Sequence, residues 1–268
     1  MSEIIVDHLQ KVYVARGQQV EAIRDISFNV RSGEFVCVVG PSGGGKSTLL
    51  KCLSGILPPT NGQITLGGKK VVGPPEGLAM VYQNYTVSLL PWMSVEANVS
   101  LPLRNRGLSR RERTQRADEA LESVGIGGFK KSYPWQLSGG MQQRVAIARA
   151  IAYRPECMLM DEPFASVDAQ TRAELEDLII RVHREHSMTT LFVTHDIDES
   201  IYLADRVVVL SGRPSVVRDV LEVDLPYPRD HLSTKALPKF GELRAKAFHY
   251  LRGRAAHPTE VEAGAVDA

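Results

Sequence analysis

The chain has 268 residues, of which 43% are hydrophobic, so it is long enough to bury the core of one large domain. Lysine and arginine together number 32, and aspartate and glutamate number 31; this balance argues against a strongly basic nucleic-acid-binding surface. Cys37, Cys52 and Cys157 lie in apolar segments without metal-ligand spacing, and we expect them to be reduced core residues. No signal peptide is expected, and no apolar run approaches the roughly 18 residues that span a bilayer.

The first strand–loop–helix unit carries a glycine-rich pattern that is typical of phosphate binding. Residues 35–39 form a short apolar run that predicts a buried strand, and residues 46–54 predict a helix. The glycines between them allow backbone N–H groups to point at phosphate oxygens near a helix N-terminus. We predict that Lys46 reaches the β and γ phosphates of a nucleoside triphosphate and that Ser47 is a Mg²⁺ ligand. The predicted phosphate loop comprises Gly40, Pro41, Ser42, Gly43, Gly44, Gly45, Lys46, Ser47 and Thr48.

Residues 104–116 contain a cluster of arginines. Ser109, within this region, is predicted to be the N-cap of a helix. Two interpretations remain open for this arginine cluster. It could attract anionic lipid headgroups or an acidic partner loop, or it could be an ordinary solvated helix face. The cluster comprises Arg104, Arg106, Arg110, Arg111, Arg113 and Arg116.

A second glycine-rich segment, with the sequence Leu-Ser-Gly-Gly, begins at Leu137 and opens an alanine-rich helix. The hydroxyl of Ser138 and the N–H groups of Gly139 and Gly140 could bind an anion at this helix start. An N-capped helix without a ligand is the alternative on chemistry alone.

Polar side chains follow two later predicted strands. Residues 157–160 predict a buried strand that is followed directly by Asp161 and Glu162. Since buried carboxylates are costly, we predict that Asp161 holds Mg²⁺ through water and that Glu162 accepts a proton from an attacking water. Two solvated acids at an exposed strand end are the alternative. His195 follows a third strand, at a place where open α/β sheets bind ligands, although a histidine there could also be a plain surface or core residue.

The phosphate loop and the Leu-Ser-Gly-Gly segment together resemble the ATP-binding cassette (ABC) family, the motor subunits of ABC transporters. The resemblance covers about residues 4–223. It implies an α/β fold, a P-loop NTPase of ABC ATPase type with a RecA-like core and an inserted α-helical subdomain at about residues 84–155. The nucleotide-binding domain would span residues 1–225. Residues 226–268 would form a C-terminal extension that is helical near residues 240–251 and then disordered.

The resemblance also implies the roles of individual residues. Gln83 would contact Mg²⁺ and water and sense a membrane partner, Asp168 would belong to the D-loop, and His195 would be the switch histidine that senses the γ phosphate. Tyr13 would stack on adenine, although a tyrosine there also fits simple packing. The Leu-Ser-Gly-Gly segment would be the signature motif, which closes on the γ phosphate held by a second copy. A homodimer with two composite sites, binding ATP and Mg²⁺, is the simplest arrangement.

Two further stretches, residues 83–98 and 225–230, resemble the subfamily that serves nitrate, sulfonate, taurine and bicarbonate uptake. They imply an ATPase that powers import of a small solute, such as an oxyanion, from the cytoplasmic face of the plasma membrane. Its partners would be two transmembrane permease subunits and an external solute-binding protein, with no nucleic acid. The alternative is a soluble ABC ATPase of DNA repair or translation, which should show heptad arms, zinc-spaced cysteines, a basic groove or two cassettes.

Overall fold

The computed structural model describes residues 2–15, 17–84 and 88–252. The strands are β1 (Ile4–Ala15), β2 (Gln18–Val30), β3 (Phe35–Val39), β4 (Asn61–Leu66), β5 (Lys69–Lys70), β6 (Leu78–Val81), β7 (Cys157–Asp161), β8 (Thr189–Thr194), β9 (Arg206–Leu210) and β10 (Ser215–Glu222). The helices longer than one 3₁₀ turn are α1 (Lys46–Leu53), α2 (Val95–Ser100), α3 (Arg110–Ser123), α4 (Gly139–Ala152), α5 (Ala169–His186), α6 (Ile197–Leu203) and α7 (Pro238–Leu251). Within these described residues the strands form one sheet in the order β5-β4-β1-β2-β10-β9-β3-β8-β7-β6.

The strands β9, β3, β8, β7 and β6 run parallel and form the centre of the molecule. Every residue of β3 is buried, because helices cover both faces of this part of the sheet. Phe35, Cys37 and Val39 face one core, which α4, α5 and α6 complete; Val36 and Val38 face the other, which α1 completes. The predicted burial of the three cysteines is confirmed. The carboxyl ends of the parallel strands therefore meet at one edge of the sheet.

An antiparallel lobe, formed by β5, β4, β1 and β2, continues the sheet on one side. It joins the parallel region through β10, which pairs with β2 at Ser215↔Ile23 and Val216↔Asp25. A buried ion pair reinforces the base of the parallel region, where Arg206 Nε lies 2.5 Å from Glu34 Oε1 and Arg206 Nη2 donates to Asn29 O at 2.7 Å. Because β10 pairs with β2 at the two positions named above, the antiparallel lobe is joined to the rest of the sheet over a short length of strand.

A helical lobe, formed by α2, α3 and α4, occupies the chain between β6 and β7. Its core contains Val99, Ala117, Leu121 and Val145. Ser109 accepts a hydrogen bond from the backbone N–H of Glu112, whose side chain accepts one in return from the Ser109 backbone, so the predicted N-cap of α3 is confirmed. The arginine cluster lies on the exposed and half-buried surface of this lobe, and its contact with lipid or with a partner stays a prediction.

The described chain ends with α7, which packs its buried face (Phe240, Leu243 and Ala247) against α6 and the β9–β10 pair. The disorder expected for the last dozen residues falls outside the described residues. None of the described helices combines the length and the apolar character that crossing a membrane requires.

Candidate active site

The phosphate loop lies between β3 and α1, where the sequence predicts it. Gly43 and Gly45 have φ angles of 73° and 83°, in the left-handed region that glycine adopts without a steric penalty. The Lys46 side chain is only 5% exposed, and its Nζ donates hydrogen bonds to Gly40 O at 2.8 Å and to Pro41 O at 3.2 Å. The loop borders a cavity of about 310 Å³ that Glu162 and Arg213 also line. This lysine is therefore held at the cavity by the loop's own carbonyl groups.

The two acids at the end of β7, Asp161 as its last residue and Glu162 directly after it, face the phosphate loop. The Ser47 hydroxyl donates to Asp161 Oδ1 at 3.3 Å, and burial raises the pKa of Asp161 above its usual range. Glu162 Oε1 lies 3.5 Å from Lys46 Nζ. The backbone of Glu162 has φ 43°, an unusual value for a residue with a side chain, and its N–H donates to Val193 O at 2.9 Å. The left-handed turn after β7 thus brings the Glu162 side chain to the loop, and such local strain is often found at functional sites.

His195 joins the same contact network from β8. Its Nδ1 lies 2.8 Å from Glu162 Oε2, although the imidazole is 56% exposed. Asp196 follows and caps α6 by accepting a hydrogen bond from the backbone N–H of Glu199 at 3.1 Å. Lys46, Glu162 and His195 therefore form a continuous chain of charged and polar contacts across three strand ends.

Two of the predicted residues lie at the border of this network. The Tyr13 hydroxyl is 3.2 Å from Thr48 Oγ1, and Lys11 Nζ lies 5.6 Å from the centre of the Tyr13 ring. β1 continues to Ala15, so Tyr13 lies within the strand and not at its end. Gln83 is exposed just beyond β6, which pairs with β7 through Val81↔Met160 and so ends at the same edge of the sheet as Glu162.

The Leu-Ser-Gly-Gly segment lies apart from the phosphate loop of its own chain. Ser138 caps α4 by accepting a hydrogen bond from Met141 N at 3.3 Å, so the predicted helix start is confirmed. Within residues 2–15, 17–84 and 88–252, no hydrogen bond or ion pair joins this segment to the loop. A β-carbon on Gly140 would lie 2.5 Å from Thr171 Cγ2 of α5. The hydroxyl of Thr171 donates to Asp168 at 2.7 Å, and Asp168 caps α5.

The hydrogen bonds from Thr171 also hold the pKa of Asp168 below its usual value. Sequence reasoning missed Thr171 and Arg213, since neither belongs to a motif. For Thr171 the signal was available, because a threonine three residues after an N-cap aspartate can donate to its carboxylate. Arg213 lies in the β9–β10 loop, and nothing in the sequence near it indicates that this loop reaches the cavity.

The residues at the cavity suit a magnesium ion that binds together with a nucleotide. Ser47 and Asp161 supply oxygen ligands, and Mg²⁺ is usually bound by one or two such protein groups plus phosphate oxygens and water. No cluster of three or more histidine, cysteine or acidic side chains that could hold a metal by itself occurs in the part of the chain that the structure describes. The site thus fits Mg²⁺ as a companion of the phosphates.

Comparisons with known proteins agree on one family. The profile described as "ABC transporter" matches residues 23–165. The chain is 44% identical to the uncharacterized ABC transporter ATP-binding protein MJ0412 of Methanocaldococcus jannaschii, over 92% of this chain and 90% of that protein. It is 40% identical to the nitrate import ATP-binding protein NrtD of Synechocystis sp., over 95% of this chain and 97% of that protein.

A similar solved structure is the dimeric post-hydrolysis state of the ATP-binding cassette MJ0796 bound to ADP and Pi. It superposes with a TM-score of 0.72 at 30% identity, covering 82% of this chain and 98% of the other. Both the sequence of this chain and its fold are therefore similar to cassettes that bind ATP.

Proposed function

Because the chain belongs to the ABC transporter family and is an ATPase with the α/β, P-loop cassette fold of that family, we propose that it powers the import of a small solute through a separate transmembrane permease. The observation that carries the catalytic part of the proposal is the contact chain from Lys46 through Glu162 to His195 at the phosphate loop. The Glu162 carboxylate lies between Lys46 and His195, and Glu162 also lines the cavity beside the loop.

In the proposed mechanism, ATP binds with its phosphates in the loop. The inward N–H groups and Lys46 bind the β and γ phosphates, replacing the present contacts of Lys46 with Gly40 O and Pro41 O. Ser47 and Asp161 would hold Mg²⁺, which when bound neutralises charge on the phosphate oxygens. Tyr13 is proposed to contact the adenine, and its bond to Thr48 would orient it beside the loop.

Glu162 is the proposed general base. Its carboxylate accepts a proton from the water that attacks the γ phosphorus, a role that requires a base within hydrogen-bond reach of that water. His195, whose Nδ1 is 2.8 Å from Glu162 Oε2, orients this carboxylate and would contact the γ phosphate, and Gln83, just beyond β6, would contact the water and help to hold Mg²⁺. The positive charge of Lys46 stabilises the negative charge that develops on the phosphate oxygens.

The active unit is proposed to be a homodimer. Ser138, Gly139 and Gly140 would close on the γ phosphate in the loop of the other copy, and Asp168 would lie between the two sites. Two observations support this arrangement: the signature segment makes no bond to its own loop within the described residues, and the similar cassette MJ0796 is dimeric. A symmetric pair satisfies both sites at once.

A small oxyanion, such as nitrate, is the proposed cargo. The nitrate import protein NrtD matches 95% of the chain, and residues 83–98 and 225–230 resemble the same class. Two permease subunits and an external solute-binding protein would complete the system, with this chain peripheral on the cytoplasmic face of the membrane. An ABC ATPase of DNA repair or translation is less well supported, since the 268 residues contain no heptad arms or zinc-spaced cysteines.

Replacement of Glu162 by Gln tests the assignment of the base. The variant should bind ATP as the wild type does, while steady-state hydrolysis falls at least about 100-fold, because general bases contribute about 100- to 10,000-fold. ATP should then trap the variant as a dimer, visible by size-exclusion chromatography with light scattering. The matched control is Glu222→Gln at the exposed end of β10, which should hydrolyse ATP normally. Near-normal hydrolysis by Glu162→Gln would show that another group is the base.

A further inference from the structure

The C-terminal segment, residues 226–252, crosses the helix that follows His195. That helix, α6, begins at Ile197, two residues after His195, and ends at Leu203. The His195 imidazole is largely exposed, and a hydrogen bond between its Nδ1 and Glu162 Oε2, at 2.8 Å, holds it in place. Its position therefore depends strongly on where the backbone of α6 lies.

One arginine of the segment binds the carboxyl end of α6. Arg229 Nη1 donates to Tyr202 O at 2.6 Å and reaches Ile201 O at 3.5 Å. These carbonyl groups belong to the last turn of the helix, where the backbone leaves acceptors without helical partners and the helix dipole is negative. The guanidinium group of Arg229 donates hydrogen bonds to these acceptors and carries a positive charge that suits the negative end of the helix. Arg229 therefore fixes this end of α6 to the segment.

A second arginine binds the amino end of α6. Arg244 of α7 makes a two-pronged ion pair with Asp198, with Nε to Oδ1 at 2.7 Å and Nη2 to Oδ2 at 2.8 Å. Such parallel hydrogen bonds fix orientation as well as distance. α7 is itself anchored by Phe240, which is fully buried. Asp198 lies in the first turn of α6, three residues after His195 in the sequence.

The side chain of Tyr202, in the last turn of α6, is also enclosed. The buried Tyr202 ring stacks on His231 at 4.1 Å between ring centres, and its hydroxyl donates to Asp177 of α5 at 2.6 Å. His231 Nε2 lies 3.1 Å from Ala173 O, also on α5. The segment thus ties α6 to α5, the helix that Asp168 opens.

We propose that Arg229 and Arg244 are positioning residues, which hold α6 at its two ends and thereby place His195 against Glu162. The inference rests on the proposed roles of His195 and Glu162. It assigns to the C-terminal segment the control of turnover and not of nucleotide affinity, since neither arginine lines the cavity at the phosphate loop. A displacement of His195 by about 1 Å would break its contact with Glu162, and misplacement on that scale is known to slow enzymes strongly.

The test measures kcat and KM for ATP hydrolysis on the full-length chain. Arg244→Ala should lower kcat by roughly tenfold while KM for ATP stays within about twofold. Arg244→Lys, which keeps the charge but not the two-pronged geometry, should give an intermediate kcat. The exchanged pair Arg244→Asp with Asp198→Arg should recover much of the lost kcat, which would show that turnover depends on the pairing of these two side chains and not on either residue alone.

Two controls separate this inference from the function on which it rests. Lys239 lies on the same helix as Arg244, and its ion pair with Glu242 stays within α7. The kcat of Lys239→Ala should therefore equal that of the wild type. His195→Ala should lose most turnover; if it does not, the proposed role of His195 fails. If His195→Ala is inactive but Arg244→Ala has wild-type kcat, only the positioning inference is overturned.

Stability is measured alongside by thermal unfolding. If Arg244→Ala fails to fold, the kcat values of Arg244→Lys and of the exchanged pair test the inference in its place. A folded exchanged pair whose kcat remains as low as that of a separate Asp198→Ala variant would overturn the inference. Recovery of kcat with unchanged KM would support it.

Discussion

Two buried carboxyl groups, Glu176 and Glu199, lie between α5 and α6, with 3% and 6% of their surfaces exposed. Burial raises the pKa of Glu199 to about 8 and that of Glu176 to about 7, from an ordinary value of 4.5, and the Glu176 carboxyl raises the pKa of Glu199 further. Asp196 raises both pKa values further, whereas Arg172 lowers both and Lys235 lowers that of Glu176. These residues therefore favour the protonated, neutral form in the folded protein.

The stability of the fold should depend on pH for this reason. Between about pH 4.5 and pH 8 the folded state binds more protons than the unfolded state, so the free energy of unfolding should decrease as pH rises through this interval. The stabilisation is complete below about pH 4.5 and is lost as pH rises through about 7 to 8. Glu199→Gln, which is neutral at every pH, should remove much of this slope.

Urea unfolding measured across this pH range checks the prediction. The exposed Glu222→Gln variant is the control and should keep the slope of the wild type. Stability curves for Glu199→Gln and wild type that run parallel with pH would contradict the assignment.

The polar residues of the site could be predicted where their signal is local. Lys46 and Ser47 stand in a glycine pattern, and Glu162 and His195 follow apolar runs directly. Their contacts could not be predicted, since the partners lie far apart in sequence. Arg244 carries no local signal at all, because one arginine on an amphipathic helix resembles any other until the fold brings Asp198 opposite to it.

At the scale of elements, the contact between α4 and α5 is unusually close. Gly140 in the first turn of α4 faces Thr171 in the first turn of α5, and a β-carbon on Gly140 would lie 2.5 Å from Thr171 Cγ2. Thr171 is stiff about χ1, and its hydroxyl is bound to Asp168. The starts of α4 and α5 are therefore close together within one chain.

Gly140→Ala should displace Thr171 and, with it, the cap at Asp168. We expect ATP hydrolysis to fall by roughly tenfold, because the two segments would no longer be placed together. Thr171→Ser removes the γ-methyl group but keeps the hydroxyl, so it should restore activity in the Gly140→Ala background. Measurements of kcat on the two single variants and the double variant check this.

Gly241→Ala is the matched control, since Gly241 also lies in a helix but has no atom near the position of a β-carbon. It should leave hydrolysis unchanged and should stabilise α7 by up to about 1 kcal/mol. A double variant as slow as Gly140→Ala would show that the methyl contact is not the cause.

Helix starts were easier to predict than strand pairing. Ser109 and Ser138 cap α3 and α4 as expected, because a capping side chain acts on the next three residues. The position of Tyr13 within β1 depends on its pairing with Val20 of β2, which the sequence around Tyr13 does not reveal. Long-range strand order is decided by packing between distant segments, so local patterns leave it open.

At the scale of the whole molecule, the proposed dimer makes a complementation test possible. Ser138→Arg should block a signature and leave its loop intact, whereas Lys46→Ala should disable a loop and leave its signature intact. Each variant alone should be nearly inactive. In a mixture of equal amounts, about half of the dimers are mixed and each has one complete site, so activity should recover to about a quarter of wild type.

The control mixture combines Lys46→Ala with a chain that carries both substitutions. It contains no intact loop, so it should remain inactive. If the first mixture also remained inactive while both chains still formed dimers, the sites would not be shared between two copies.

The family and the fold class could be predicted from two short motifs, since the spacing of the phosphate loop and the Leu-Ser-Gly-Gly segment is specific. The arrangement of residues 226–252 could not. The sequence there favours a helix near residues 240–251, but it does not show that this helix packs on α6. Only the fold brings Phe240 against α6 and Arg229 to the carbonyl groups at its end.

The position of β3 has a consequence for the order of events during synthesis. β3 pairs with β8 on one side and β9 on the other, so both neighbours of residues 35–39 come from residues 189–210. A ribosome adds about 5–20 residues each second, so the phosphate loop leaves it many seconds before either neighbour exists. Until β8 and β9 have been made, the nascent chain contains the phosphate loop and β3 without the two strands that pair with β3. ATP can therefore stabilise this protein only once most of the chain has been made.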